Sequence, residues 1–280
     1  MARSRLILFT ALALLAFAGN SLLCRLALRG GHADPAAFTC IRIVSGAAAL
    51  WALLRLQRGR PAGDWPSALA LFVYGIAFSF AYVSLGVGAG ALIAFGAVQL
   101  SMLAWGWWTG ERPGPAQLAG LGLALGGLVF LVWPGLAAPD PLGAALMLAA
   151  GLAWGVYSLR GRDSSAPAAA TTGNFLRAAP LAVLALLPFL SRLHVDAEGW
   201  TLALGSGVLT SGLGYVICYA ALKGLTATRA AVVQLSAPVL AALGGVLLLA
   251  EPLSARLVIA SCVILGGVAL AVLGRQRAGA

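Results

Sequence analysis

Apolar residues run through this chain in long blocks, with the polar residues confined to short gaps between them. Ten stretches of about 20 apolar residues can be laid along it, at roughly 6–28, 36–56, 66–86, 90–110, 114–133, 142–160, 170–190, 199–221, 228–249 and 254–273. A helix rises 1.5 Å per residue, so each block matches the ~30 Å hydrocarbon core of a bilayer. None of the ten contains Asp or Glu. The gaps leave no room for a soluble domain. The pattern predicts an all-α membrane protein of ten transmembrane helices.

Composition agrees: 61% of the residues are hydrophobic and 9% charged, with mean hydropathy +0.96, where a soluble domain carries about 25% charged residues. The charges then set orientation, because Lys and Arg gather on the cytoplasmic side of span ends. With the N-terminus inside, the inner side collects Arg3, Arg5, Arg55, Arg58, Arg60, Arg112, Arg160, Arg162, Lys223, Arg229, Arg275 and Arg277. The outer side keeps Arg29, Arg192 and Arg256. Twelve against three predicts both termini in the cytoplasm. The net charge of +10 therefore reads as membrane orientation and not as a nucleic-acid surface. The first block is too long for a signal-peptide core and reads as a true span. Cys24, Cys40, Cys218 and Cys262 lie within the apolar blocks at no metal-ligand spacing and read as small core residues; no cofactor is implied. His32 and His194 fall in outer gaps and read as solvated.

The chain repeats itself. Shifted by 140 residues, Gly90–Val132 lines up without a gap on Ala230–Val272, so that Glu111 falls on Glu251 and Leu125-Gly126-Gly127 on Leu265-Gly266-Gly267. Weaker echoes pair Trp65 with Trp200, Arg42 with Arg177 and Tyr82 with Tyr219. The predicted organisation is a five-helix repeat over 1–136 and a second over 137–280. Five crossings are an odd number, so the second copy enters the membrane upside down, an arrangement common among secondary transporters, whose substrates bind near the midplane between the halves.

Several short patterns resemble a known family. Span 1 ends Phe17-Ala18-Gly19-Asn20 with Arg25 beyond, similar to the Trp-Gly-x-Asn…Lys signature opening the first half of EamA-type proteins of the drug/metabolite transporter superfamily. The second half has Trp154-Gly155-Val156-Tyr157 with Arg162 in the matching place. Glu111 after span 4, Glu251-Pro252 after span 9 and the Gly-Gly pairs of spans 5 and 10 correspond to further landmarks. The resemblance covers essentially the whole chain and, within the superfamily, is greatest to the YddG-type amino-acid exporters. It implies a transporter of the bacterial inner membrane working by alternating access, with an exported amino acid, aromatic or otherwise neutral, as substrate. A cationic drug or nucleotide-sugar carrier is the alternative it leaves open. The partners implied are the solute and the lipid bilayer, with no obligatory protein partner evident.

Polar groups inside a membrane are costly and tend to face a cavity or another helix. The candidate solute contacts are Asn20, Ser79, Tyr82, Gln99, Trp154, Tyr157, Tyr215, Tyr219, Gln234 and Arg42. Tyr157 and Tyr215 sit deepest, whereas Tyr82 and Tyr219 near span ends also suit an interfacial belt. A Ser can bond its own helix backbone, and Gln99 and Gln234 either pair across helices or meet solute. Arg42 and Arg177, about seven residues into their spans, can snorkel, donate to backbone carbonyls or bind a carboxylate. Arg25 is expected to snorkel. These positions put spans 1, 3, 4, 6, 8 and 9 around a cavity with 5 and 10 behind. Trp105, Trp107 and Trp108 read as belt. Gly122/Gly126 and Gly151/Gly155 offer close helix contact, and Gly86, Gly88 and Gly90 a hinge. A membrane enzyme acting on lipids would want acid, base or thiol groups near an interface, and the acids and His here are scattered singly in gaps. With no acid inside a span, a facilitator or exchanger is expected.

Overall fold

The computed structural model describes residues 3–110, 114–135, 138–162, 164–222 and 234–277; Glu111, Arg112, Lys223 and Arg229, and the side chains at 3, 219, 220, 222 and 274–277, lie outside the described residues. The described chain is helical, with one isolated bridge between Ala33 and Val195. The helices are α1 (Arg3–Arg29), α2 (Pro35–Leu56), α3 (Trp65–Ser84), α4 (Val87–Trp108), α5 (Pro115–Val132), α6 (Pro141–Gly161) and α7 (Pro167–Leu184), followed by a 3-10 turn over Leu187–Arg192. Next come α8 (Ala197–Leu204), a π-helical segment (Gly205–Leu213), α9 (Gly214–Leu222), α10 (Ser236–Leu249) and α11 (Ala255–Arg277).

Among the described residues eight helical runs are long and apolar enough to cross a membrane: α1 to α6, the continuous run Ala197–Cys218 and α11. Helix α10 is apolar but shorter. Helix α7, expected within a span over 170–190, is not one of the eight. It carries Thr171, Thr172, Asn174 and Arg177 on 18 residues and ends at Leu184, beyond Pro180; a proline within a helix removes a backbone hydrogen bond.

Aspartates start the helices. The carboxylates of Asp34, Asp64, Asp140 and Asp196 accept backbone N–H groups at the first turns of α2, α3, α6 and α8. In the first three a proline follows within two residues, the favoured N-terminal pairing. This accounts for acids standing at block edges: they satisfy orphan donors and oppose the positive end of the helix dipole.

The helix ends meet in two groups. At the Asp34 end, Arg25 Nε donates to Glu251 Oε1 at 3.1 Å, Arg29 Nη1 to Leu249 O at 2.8 Å, and Ser84 Oγ to Asp140 Oδ2 at 3.0 Å. At the Asp64 end, Arg160 Nη2 pairs with Asp64 Oδ1 at 3.0 Å and Arg177 Nη1 donates to Ala62 O at 2.9 Å. Every one of these contacts joins ends that strict alternation of successive helices would bring together.

Glycine governs the closest seam, between α5 and α11. A Cβ at Gly120 would lie 2.5 Å from Ala271 N, one at Gly127 2.7 Å from Ile264 Cγ1, and one at Gly267 2.6 Å from Ala124 N. Gly122 and Gly126, expected in such a seam, have nothing within 4 Å; the contact stripe is the neighbouring one. Gly151 does carry the predicted role, its would-be Cβ 2.6 Å from both Ala94 O and Ala97 Cβ of α4. The Gly86–Gly90 corner is packed: a Cβ at Gly86 would lie 3.0 Å from Glu251 Oε2 and one at Gly88 2.9 Å from Leu257 Cδ2. Trp107 and Trp108 are exposed at the end of α4, as a belt requires.

Candidate functional site

An aromatic cluster with one arginine at its edge occupies the bundle interior. Tyr74 on α3 lies 4.8 Å from Trp154 on α6, centroid to centroid, and Trp154 stacks on Tyr215 of α9 at 5.2 Å and 19°. Tyr157 lies 5.3 Å from Trp154, and Phe175 of α7 and Phe17 of α1 flank Tyr215 at 6.0 and 6.4 Å. Phe78, one turn from Tyr74, continues the chain of rings to Tyr82 by an edge contact at 4.7 Å. The cluster therefore draws on α1, α3, α6, α7 and α9, with the arginine on α2.

That arginine is Arg42, 3% exposed. Its Cζ stands 5.5 Å from the Tyr74 ring centre and 5.4 Å from that of Phe78. Gly75 makes the space, since a Cβ there would come 3.0 Å from Arg42 Nη2. The buried Nη1 has no hydrogen-bond partner among the described residues, and no carboxylate there pairs with the guanidinium. Cation–π contacts supply about 0.5–2 kcal/mol, whereas a buried charged donor left unsatisfied costs upwards of about 1–3 kcal/mol. The apolar surround leaves the charge short of compensation. Its counterpart Arg177 is different: Nη1 donates to Ala62 O and Gly173 O, both at 2.9 Å.

Beside the rings lies a polar brace. Asn20 Nδ2 donates to Tyr74 Oη at 3.1 Å, while Asn20 Oδ1 accepts from Ser206 Oγ at 2.8 Å and Thr210 Oγ1 at 3.2 Å. Both hydroxyls, four residues apart and so on one face, come from the π-helical segment; such segments recur at functional sites. Gly207 fits that turn against α2, its would-be Cβ 2.5 Å from Arg42 O. Asn20 thus orients Tyr74, and three of its four hydrogen-bonding capacities are taken up by protein.

The predicted residues divide accordingly. Trp154, Tyr157, Tyr215 and Arg42 come together, and Asn20 joins through Tyr74. Tyr157 Oη donates to Thr171 Oγ1 at 3.4 Å. Ser79 bonds its own helix at Gly75 O, 3.1 Å, and Tyr82 is buried against the α3–α4 corner, its hydroxyl 3.5 Å from Val87 O. Gln99 is buried on α4 and Gln234 half-buried before α10; neither enters the ring contacts. The Tyr219 side chain lies outside the described residues. Tyr74, Phe78, Phe17 and Phe175 were not anticipated, nor was the contribution of α7; α2 enters through the predicted Arg42, and among the described residues α4 and α10 supply no ring to the cluster. The legible signal was the spacing Tyr74-Phe78-Tyr82, four apart twice, which stacks three rings on one helical face.

Arg25 does not snorkel. Its Nη1 donates to Tyr82 O at 2.8 Å and Val83 O at 2.9 Å, and its Nε to Glu251, whose Oε2 in turn accepts the Val87 N–H at 2.7 Å. One carboxylate therefore caps α4, whose N-cap is the side-chain-less Gly86, and ties it to α1 and α3. Nearby His32 is also engaged, Nδ1 at 2.9 Å from Asp196 Oδ2 and Nε2 at 3.5 Å from Glu198 Oε2. The hydrogen bond to Asp196 raises the His32 pKa above its ordinary value, and Gly199 N–H, then His32, lower that of Asp196. At the other end burial pushes Asp64 up, but hydrogen bonds from Ser67 and Arg160 outweigh it and leave the carboxyl below its ordinary value.

The EamA-like transporter family profile matches this chain twice, over residues 4–133 and 141–273. An uncharacterised protein of Pseudomonas aeruginosa is 56% identical over 270 residues, 95% of this chain and 94% of its own. An uncharacterised transporter of Archaeoglobus fulgidus is 28% identical over 220 residues, covering 75% and 78%. A protein of known crystal structure superposes with TM-score 0.68 at 24% identity, over 95% of this chain and 98% of its own. With its apolar helices and both halves matched, the chain belongs to the EamA-like transporter family of the drug/metabolite transporter superfamily, multi-pass membrane proteins that move small molecules.

Proposed function

We propose that this chain exports small metabolites, neutral and above all aromatic amino acids, across a bacterial inner membrane by alternating access. The observation that carries the reading is the aromatic cluster, assembled from helices of both halves of the chain with Arg42 at its edge. Trp154, Tyr157, Tyr215 and Tyr74 form its apolar wall, and Arg42 contributes its charge. Ten crossings in two inverted halves, residues 1–136 and 137–280 with both termini cytoplasmic, complete the proposal. The twofold family match, the alternate meeting of helix ends and the twelve-to-three distribution of basic residues support it. The Asp34 end is then the outer face and the Asp64 end the cytoplasmic one. Helix α7, with Thr171, Thr172, Asn174 and Arg177 among its 18 residues, crosses packed against α2 and α3, and its Thr171, Thr172 and Asn174 are buried. No carboxylate of the described residues lies in the cluster, and this favours a facilitator or exchanger over a proton-driven pump and argues against the cationic-drug alternative. Proteoliposomes loaded with a panel of amino acids and challenged with labelled phenylalanine, tryptophan and leucine provide the test. Saturable exchange, weakened by Tyr215→Ala or Trp154→Ala in protein that inserts normally, is expected; rates equal to those of empty liposomes for the whole panel overturn the proposal.

A further inference from the structure

Resting on the transport reading just given, we infer that the group this site reads is a carboxylate, taken by Arg42, and that an amino group on the solute is dispensable. The solute class is therefore the carboxylic acid with an aromatic or broad apolar body, of which an amino acid is one member.

The charges around the cluster carry this. Arg42 is sealed from solvent, and its Nη1 lacks a hydrogen-bond partner among the described residues. The two rings against it, Tyr74 and Phe78, offer π faces but no hydrogen-bond acceptor at that nitrogen. A guanidinium is planar, permanently charged and shaped to meet a carboxylate with two parallel donors, so an uncommitted one is a site built for that group. A purely structural arginine would be expected to resemble Arg177, which spends its donors on Ala62 O and Gly173 O. The guanidinium itself is seated by Gly75, where any side chain would press on Nη2.

Among the described residues no carboxylate stands near the rings to pair with an ammonium. Of the acids described, Asp34, Asp64, Asp140 and Asp196 cap helix starts, Glu198 faces His32, and Glu251 is engaged by Arg25 and Val87. A neutral acceptor beside the rings, Asn20 Oδ1, already receives two hydroxyls. The remaining lining, Trp154 stacked on Tyr215 with Phe17 and Phe175 beside it, suits a flat apolar body.

Three probes of one shape separate the groups: phenylalanine, 3-phenylpropionate, which lacks the amine, and phenethylamine, which lacks the carboxylate. In counterflow assays with purified protein in liposomes, phenylalanine and 3-phenylpropionate should compete for the same carrier within about 10-fold of each other, and phenethylamine should not compete. Arg42→Gln should lower uptake of both acids by on the order of 100-fold, the loss typical for a truncated buried charge pair, and Arg42→Lys should recover part of it. The wild-type competition decides the matter even if Arg42→Gln fails to insert. Equal transport of phenethylamine, or transport of phenylalanine with exclusion of 3-phenylpropionate, overturns the inference while leaving the transport reading intact. Absence of flux for all three probes and for the amino-acid panel overturns both.

Discussion

Removing the Glu251 side chain should loosen the Asp34 end of the bundle more than any other single truncation there. The carboxylate has two partners, Arg25 Nε at 3.1 Å and the Val87 N–H at 2.7 Å, and the side chains of the ion pair are only 12% and 11% exposed. Breaking a buried pair by deleting one partner costs about 3–5 kcal/mol; slight exposure puts this one near the lower figure. Loss of the cap on α4 adds about 1 kcal/mol. Glu251→Ala should therefore cost roughly 4 kcal/mol, and Glu251→Gln, which still offers Val87 an acceptor, roughly half of that. At about 2–4 °C per kcal/mol for chains of this order of size, the alanine variant should unfold on the order of 10 °C earlier. The assay is the apparent Tm in detergent at one fixed scan rate, since unfolding of such proteins is commonly irreversible. Arg25→Gln should be similarly damaging, and the double variant should lose less than the sum of the two singles by about 1–3 kcal/mol. Strict additivity of the two losses, or an alanine variant within 1–2 °C of wild type, would refute the reasoning.

The α5–α11 seam gives a paired test. Gly120→Val should cost about 1–3 kcal/mol or more by forcing backbones apart, whereas Gly126→Val, facing open space, should change the Tm by little; equal effects would contradict the seam. The His32–Asp196 contact should make the loops at the Asp34 end pH-sensitive. Because the folded-state pKa of His32 is raised, its contribution is complete below the unfolded value of about 6.5 and is lost as pH rises through the folded value. The lowered Asp196 contributes above its unfolded value, about 3.9, and fades as pH falls through the folded one. His32→Gln should flatten the Tm-versus-pH curve between about pH 5 and 8, and superimposable curves would exclude that role. Cysteines at Arg58 and Arg192, in a background with Cys24, Cys40, Cys218 and Cys262 replaced, should react only from the cytoplasmic and only from the outer side respectively; the reverse pattern would invert the proposed topology.

What sequence made legible here was whatever depends on local periodicity. The apolar blocks, the confinement of acids to their edges and the choice of Trp154, Tyr157, Tyr215 and Arg42, which the fold gathers in one cluster, follow from hydrophobicity and helical spacing. Pairings between distant helices did not. Arg25 and Glu251 are 226 positions apart, and nothing in either neighbourhood marks them as partners. Arg42 and Arg177 look alike in sequence, yet only the fold decides that one finds carbonyls and the other rings. The glycine stripe between α5 and α11 lies a face away from the expected one because α5 carries two eligible pairs, Gly120/Gly127 and Gly122/Gly126, and only the fold selects the first. Gln99 and Gln234 were weighted for polarity alone, whereas what assembles the cluster is the geometry of rings, and aromatic residues in an apolar block carry little contrast.

The π-helical segment has one further consequence. Compared with an α-helix, a single π turn houses an extra residue, and each residue of an α-helix advances the rotation by about 100°. Relaxing one such turn would therefore swing everything after it about the axis by roughly that angle, carrying Tyr215 off the face of Trp154. The run Ala197–Cys218 would in this sense act as a screw. The seating seen here is clamped by Asn20, so a single amide on α1 sets the angular position of a ring on a helix from the other half of the chain.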